Sequence, residues 1–116
     1  MNVKELLIAA RAKIENPEHW CMENIAEDAE GNDVHWCDYN AVRWCAVGAI
    51  SCIGREATGA VEAEALYRIA AHGGVTNLVW SKTHAEVLEA FDAAIADCDN
   101  SPSYSVLYDE QQSLPL

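Results

Sequence analysis

The segment Asn40-Ala41-Val42-Arg43-Trp44-Cys45-Ala46-Val47-Gly48-Ala49-Ile50-Ser51-Cys52-Ile53 is apolar almost all the way round a helical projection. Beyond its first residue, only Arg43 and Ser51 interrupt it. A helix of that kind has no face to turn toward water, so it must run through the middle of the molecule. Gly48, flanked by Ala46 and Ala49, lets a second backbone approach closely there. The remaining elements therefore have to be amphipathic and cover this one.

The chain supplies such elements. With 116 residues, 51% of them hydrophobic, it is long enough for one modest core and too apolar to be disordered. Val3, Leu6, Leu7, Ala10 and Ile14 fall at helical spacing, which predicts a first helix over 3–15 with Asn2 as its cap. Asn16-Pro17 stops it, because the residue before proline is pushed out of the helical region. A third helix over 60–72 carries Val61, Leu66, Ile69 and Ala70, with Glu64 and Arg68 four residues apart, and Gly73-Gly74 ends it. Thr83-His84-Ala85-Glu86 is a capping box that opens a last helix lined by Val87, Leu88, Phe91, Ala94, Ile95 and Cys98.

Between the first helix and the apolar segment, Glu30-Gly31-Asn32-Asp33 is a cluster of turn formers. It separates 25–29 from 34–37 and predicts a short hairpin leaning on the helices, after which Asp38 or Asn40 would cap the central helix over 41–53. The expected fold is mainly α: a compact bundle of about four helices around the buried central helix, with at most one short β-hairpin. Residues 1–98 form a single compact helical domain. Residues 99–116 form a tail whose Tyr104, Val106, Leu107 and Tyr108 pack on the body or on a second copy. Leu78, Val79 or Trp80, in an apolar loop, should plug the core.

Charge is the second constraint. The net charge is −12, and it is unevenly placed. Between Lys13 and Arg43 there is no Lys or Arg, while Glu15, Glu18, Glu23, Glu27, Asp28, Glu30, Asp33 and Asp38 accumulate. Such a surface repels nucleic acid and anionic membranes and attracts basic partners. No apolar run approaches the roughly 18–20 residues of a membrane span, and the acidic, amphipathic N-terminus does not read as a signal peptide. The expected location is cytoplasmic, with Cys21, Cys37, Cys45, Cys52 and Cys98 mostly reduced.

Three constellations bear on chemistry. His19-Trp20-Cys21 and His35-Trp36-Cys37 repeat sixteen residues apart. Two imidazoles and two thiols are the donor set of a tetrahedral zinc site, although a His-x-Cys pair is tighter than the usual ligand spacing. The bland alternative is a pair of tryptophan anchors with incidental polar neighbours. Cys45, in the second turn of an apolar helix, reads as an inert core thiol rather than a nucleophile, which needs exposure and a lowered pKa. Arg43 is a single charge early in that helix and must be paired, with Asp28 or Asp38 as the expected partner. An anion pocket at the helix start is the minority reading. No phosphate-binding Gly-rich loop, nucleophile elbow or zinc-protease motif is present.

The chain resembles a family of small uncharacterised proteins from bacteria and their phages. The resemblance is carried by Ala10-Arg11, by Pro17 to Trp20, by Glu27-Asp28-Ala29-Glu30-Gly31, by the Arg-Trp-Cys-Ala-x-Gly-Ala run at Arg43 to Ala49, and by the Thr83 to Ile95 helix, over about residues 3–97. It implies a compact domain and no assigned activity. Cys21 and Cys37 lie outside that pattern, which counts against zinc as a property of the whole family. Where similar proteins often carry Asn-Asp before the last helix, this chain reads Asn77-Leu78-Val79-Trp80.

The leading functional expectation is a non-enzymatic acidic interaction protein, encoded by a phage or mobile element, that binds a basic protein surface without a cofactor. Its candidate interaction residues are Glu18, Glu23, Glu27, Asp28, Glu30, Asp33 and Asp38. A zinc module built on His19, Cys21, His35 and Cys37 is one alternative. An enzyme or small-ligand binder centred on Arg43 is the other. Arg43, Trp44, Cys45, Gly48, Thr83 and Glu86 are assigned structural roles.

Overall fold

Asn2 starts the first helix, α1 (Val3–Ile14), as its sequence asks: its side chain accepts from the Glu5 N–H while the Glu5 carboxylate accepts from the Asn2 N–H. The computed structural model describes residues 1–73 and 83–100. Within them α1 is followed by a single 3-10 turn at Pro17–His19, capped by the Asn16 side chain, and then by two short strands, β1 (Ala26–Glu27) and β2 (Arg43–Trp44). Helices α2 (Ala46–Gly54), α3 (Gly59–Ala71) and α4 (His84–Asn100) complete the order. The architecture is mainly α with one small antiparallel ladder, as expected. The loop residues Leu78, Val79 and Trp80 and residues 101–116 of the expected tail lie outside the described residues, while Asp99 and Asn100, placed in the tail by the sequence, continue α4.

The central helix is shorter than its apolar run. It starts at Ala46, and residues 43–44 are strand. The cap is Cys45, whose Sγ accepts from the Gly48 N–H at 3.4 Å, not Asp38 or Asn40. The physical reason lies in Arg43. A helix carried through it would turn a guanidinium around an otherwise apolar cylinder, whereas a strand sends Arg43 and Trp44 to opposite faces. Trp44 then packs on the core and Arg43 meets Glu27.

The ladder also differs in partner from the expected hairpin. Ala26 pairs with Trp44 and Glu27 with Arg43, antiparallel, while the turn formers bring 26–28 against 32–34 through one bridge, Glu27 to Asp33, and two bonds, Val34 N–H to Ala26 C=O and Asp28 N–H to Asn32 C=O. On the far side of β2, Trp20 bridges Trp44 and the Cys21 N–H donates to the Trp44 carbonyl at 3.2 Å. Four pieces of chain thus lie side by side in the order 33–34, β1, β2, 20–21. Non-local backbone pairing of this sort is invisible to a local pattern.

The core is built from all four helices. Leu6, Leu7, Ala10 and Ile14 of α1, Ala49 and Ile50 of α2, Ala65 and Ile69 of α3, and Val87, Phe91 and Ala94 of α4 are fully enclosed. Every residue of α2 except Val47 and Ile53 is buried, which confirms it as the centre. Thr58 caps α3, Gly73 takes φ +77 just past its end, and Thr83 with Glu86 forms the expected reciprocal box at the start of α4. Helices α1 and α4 run antiparallel, clipped by Lys4 to Asp99 at 2.7 Å, Arg11 to Asp92 at 2.8 Å, and the His84 ring to the Ile14 carbonyl at 2.6 Å.

Gly48 is where the small sheet and α2 meet. A Cβ there would overlap the Ile25 carbonyl oxygen and lie 3.0 Å from its carbon. Alanine for glycine in a helix is ordinarily worth up to about 1 kcal/mol. Here the sign should reverse: Gly48→Ala is expected to destabilise by about 1–3 kcal/mol through overpacking, read as a lower urea midpoint. A variant as stable as the parent would contradict the close contact.

Candidate functional site

Proline at the start of the 3-10 turn and the two strand bridges hold residues 15–44 against the helices, so the acidic stretch is an anchored part of the fold. Beyond Glu15, which pairs with Arg11, its carboxylates divide into two groups. Glu18, Glu23, Glu30, Asp33 and Asp38 are exposed, and none of them pairs with a cation among the described residues. Glu27 and Asp28 are spent inside the fold.

Glu27 accepts from Arg43 Nε at 3.1 Å and from the Asn24 side chain at 2.9 Å, with its side chain 16% exposed. The Asp28 carboxylate accepts from the Asn32 N–H at 2.8 Å, the Glu30 N–H at 3.0 Å and the Asn32 side chain, pinning the turn in which Gly31 takes φ +84. These bonds, the Asn32 N–H foremost, hold the Asp28 carboxyl below its ordinary value. Asp38 plays a lighter role of the same kind by accepting from the Asn40 N–H.

Arg43 therefore pairs with Glu27, and it reaches Asp28 only through that residue's backbone carbonyl, at 2.5 Å. Asp38 is not its partner. With its guanidinium held by a carboxylate and a carbonyl, Arg43 ties β1 to β2. Trp44 is a second brace: its Nε1 donates to the Trp36 carbonyl at 3.0 Å, and Lys13 Nζ sits 3.7 Å over its ring. Trp20 stacks on His84 at 5.1 Å between centroids.

The candidate zinc donors are not assembled. Among the described residues no group of three or more His, Cys, Asp or Glu side chains is placed to hold a metal ion. Cys21 is buried and its thiol donates to the Asn24 carbonyl, whereas His19, His35 and Cys37 are exposed. His35 and Cys37 do meet, Nδ1 to Sγ at 2.9 Å. Cys45 sits at a helix N-cap, a position that ordinarily favours a thiolate, yet burial prevails and pushes its thiol up. Burial, reinforced by Glu27 and Cys45, pushes Cys21 up to about 12.

Pattern reading missed the lysines and arginines as a set. Lys4, Arg11, Lys13, Arg43 and Arg68 each lie against a carboxylate or an indole of this chain, which leaves Arg55 as the exception among the described ones. No local signal reveals this, because most of the pairs join residues far apart in sequence. Helix α4 contributes Asp92 and Asp99 to such pairs, and its Asp97 meets the His72 ring at 2.5 Å, so much of its acidity is structural.

Comparison with protein families matches residues 1–97 to DUF6197, a family of unknown function. The chain belongs to that family. The match covers α1 to nearly the end of α4, the same unit that the core defines. Comparison with curated proteins and with solved structures found no match. No described helix is long and apolar enough to cross a membrane.

The Arg43 brace yields a direct test. Arg43→Ala should cost about 1.5–3 kcal/mol, the range for hydrogen bonds to charged groups, because it strands the Glu27 carboxylate at 16% exposure. Arg43→Lys should recover only part of it, since an ammonium lacks the fork that spans carboxylate and carbonyl. Chemical denaturation reads both, and a neutral Arg43→Ala would contradict the pairing.

Proposed function

We propose that this DUF6197 protein is a non-enzymatic interaction module whose 18–38 segment docks on a basic surface of another protein. One observation carries the reading. Nearly all the described cations are consumed by internal pairs, while Glu18, Glu23, Glu30, Asp33 and Asp38 stand exposed with no described cation against them, Asp38 meeting only the Asn40 N–H of its own turn. A carboxylate with no internal cation is available to an external one, and the strand pairing beneath the stretch limits how much it must be ordered on binding.

Glu27 and Asp28 drop out of the interaction set, because binding through them would first break the turn and the Arg43 brace. The same field disfavours direct contact with nucleic acid or an anionic membrane. An origin on a phage or mobile element, and a role as an inhibitor that imitates nucleic-acid charge, are the finer form of this reading, and they follow from the acidic face and not from the family. Placement in the cytoplasm fits five unpaired thiols.

A lysine-rich peptide serves as the probe. Its affinity should fall steeply from low to high ionic strength. A variant carrying Glu18→Gln, Glu23→Gln, Glu30→Gln, Asp33→Asn and Asp38→Asn should bind about tenfold or more weakly, by the usual scaling of complementary charge. Neutralising Glu56, Glu62 and Glu89 instead should have a much smaller effect. Salt-independent affinity, or equal losses for the two variants, would overturn the assignment.

A further inference from the structure

The five cysteines do not have equal access to a reagent. Cys21, Cys45 and Cys52 are buried and Cys98 is half-buried, so Cys37 is the one exposed thiol. The Cys21 and Cys98 thiols donate to backbone carbonyls, at 3.1 and 3.4 Å, and Cys45 Sγ accepts the Gly48 N–H. Each of those three thiols is also pushed up, with burial the leading cause.

Cys37 has a different neighbour. Its Sγ lies 2.9 Å from Nδ1 of His35, and its own backbone N–H points at the same nitrogen from 3.1 Å. A backbone N–H can only donate, so Nδ1 must be an acceptor, and the neutral ring carries its proton on Nε2. An imidazole lone pair facing an exposed thiol is the arrangement of a nucleophile with its base. The His35 ring is steadied against Trp36, with centroids 4.6 Å apart.

An independent observation points to the kind of molecule this thiol would meet. Asp33 and Asp38 flank the pair with exposed carboxylates, and no Lys or Arg occurs between Lys13 and Arg43. That field concentrates cationic reagents near Cys37 and depletes anionic ones.

We propose that Cys37 is a thiol–disulfide exchange site selective for cationic disulfides, with His35 as the proton acceptor. The Cys37 proton passes to His35 Nδ1 as the sulfur attacks one sulfur of the incoming disulfide. The reagent's S–S bond breaks and a new S–S bond joins Cys37 to one half. The other half leaves as a thiolate and takes the proton back from His35. Cys37 is oxidised and the departing sulfur is reduced, so the disulfide itself is the only oxidant required. The site stands apart from the docking reading, since small reagents probe it without any protein partner.

The test uses the reduced full-length chain with cystamine, which is dicationic, and with glutathione disulfide, which is anionic. Rates are normalised to the same two reagents acting on 2-mercaptoethanol, and adducts are located by peptide mass mapping. Cys37 is expected to react first, with cystamine favoured about tenfold at low ionic strength and the preference shrinking in high salt. His35→Gln should slow Cys37 about tenfold and leave Cys98 unchanged, on the usual dependence of exchange on thiolate supply. Reaction at Cys98 or a buried cysteine as fast as at Cys37 would overturn the proposal, as would equal normalised rates for the two reagents. An unchanged rate in His35→Gln would remove His35 from it. The competition on the unmodified chain needs no variant, so a folding defect cannot obscure the result.

Discussion

The Ile25 carbonyl resting on Gly48 is the contact on which the acidic half of the molecule depends. Because position 48 has no side chain, backbone from the segment before β1 can lie on the first turn of α2, and the Cys45 N–H donates to that same carbonyl at 3.1 Å. This fixes where α2 begins. It also leaves Arg43 and Trp44 extended, in register with Glu27 and Ala26. From there the alternation of a strand does the rest, sending the indole to the core and the guanidinium to Glu27. A larger residue at 48 would push the small sheet away from the helix that carries it.

Charge is apportioned on the same frame. Carboxylates that meet a cation or a turn, such as Glu27, Asp28, Asp92 and Asp99, hold elements together. Glu18, Glu23, Glu30 and Asp33 meet neither among the described residues, and Asp38 meets only the Asn40 N–H. The net charge of −12 is therefore not spread evenly over the described surface. Internal pairing removes most of the positive charge from circulation and leaves the surplus concentrated beside an exposed thiol and imidazole. Surface pairs of this kind add modestly to stability, so their larger effect is on what the protein presents to its surroundings.

Much of the helical frame could be read from the chain. Asn2 and Thr83 are short-range capping signals, and Val3, Leu6, Leu7, Ala10 and Ile14 are a local periodicity, so they declare themselves within a few residues. The apolar 46–53 segment announced burial correctly. The residues just before it did not announce strand, because Arg43 and Trp44 are extended through pairing with 26–27 and 20–21, and those partners lie well outside any local window. For the same reason Asp28 and Asp38 were the nearest plausible partners of Arg43, whereas register selected Glu27. The two His-Trp-Cys units looked equivalent in sequence, yet one thiol is buried and the other exposed. Their difference arises because Trp20 bridges β2 while Trp36 only offers it a carbonyl.

The central claim is that the acidic segment is a rigid face docked on α2 through the small sheet. Native-state hydrogen exchange tests it most directly. The amides of Cys21, Val34, Val42 and Cys45 all donate to carbonyls across the sheet or onto it. They should exchange slowly, within about tenfold of the amides of α1, because losing them exposes the core beneath Trp44. Exchange of these four at the rate of an open loop, with α1 and α4 still protected, would show the segment detached from the body and would contradict the account.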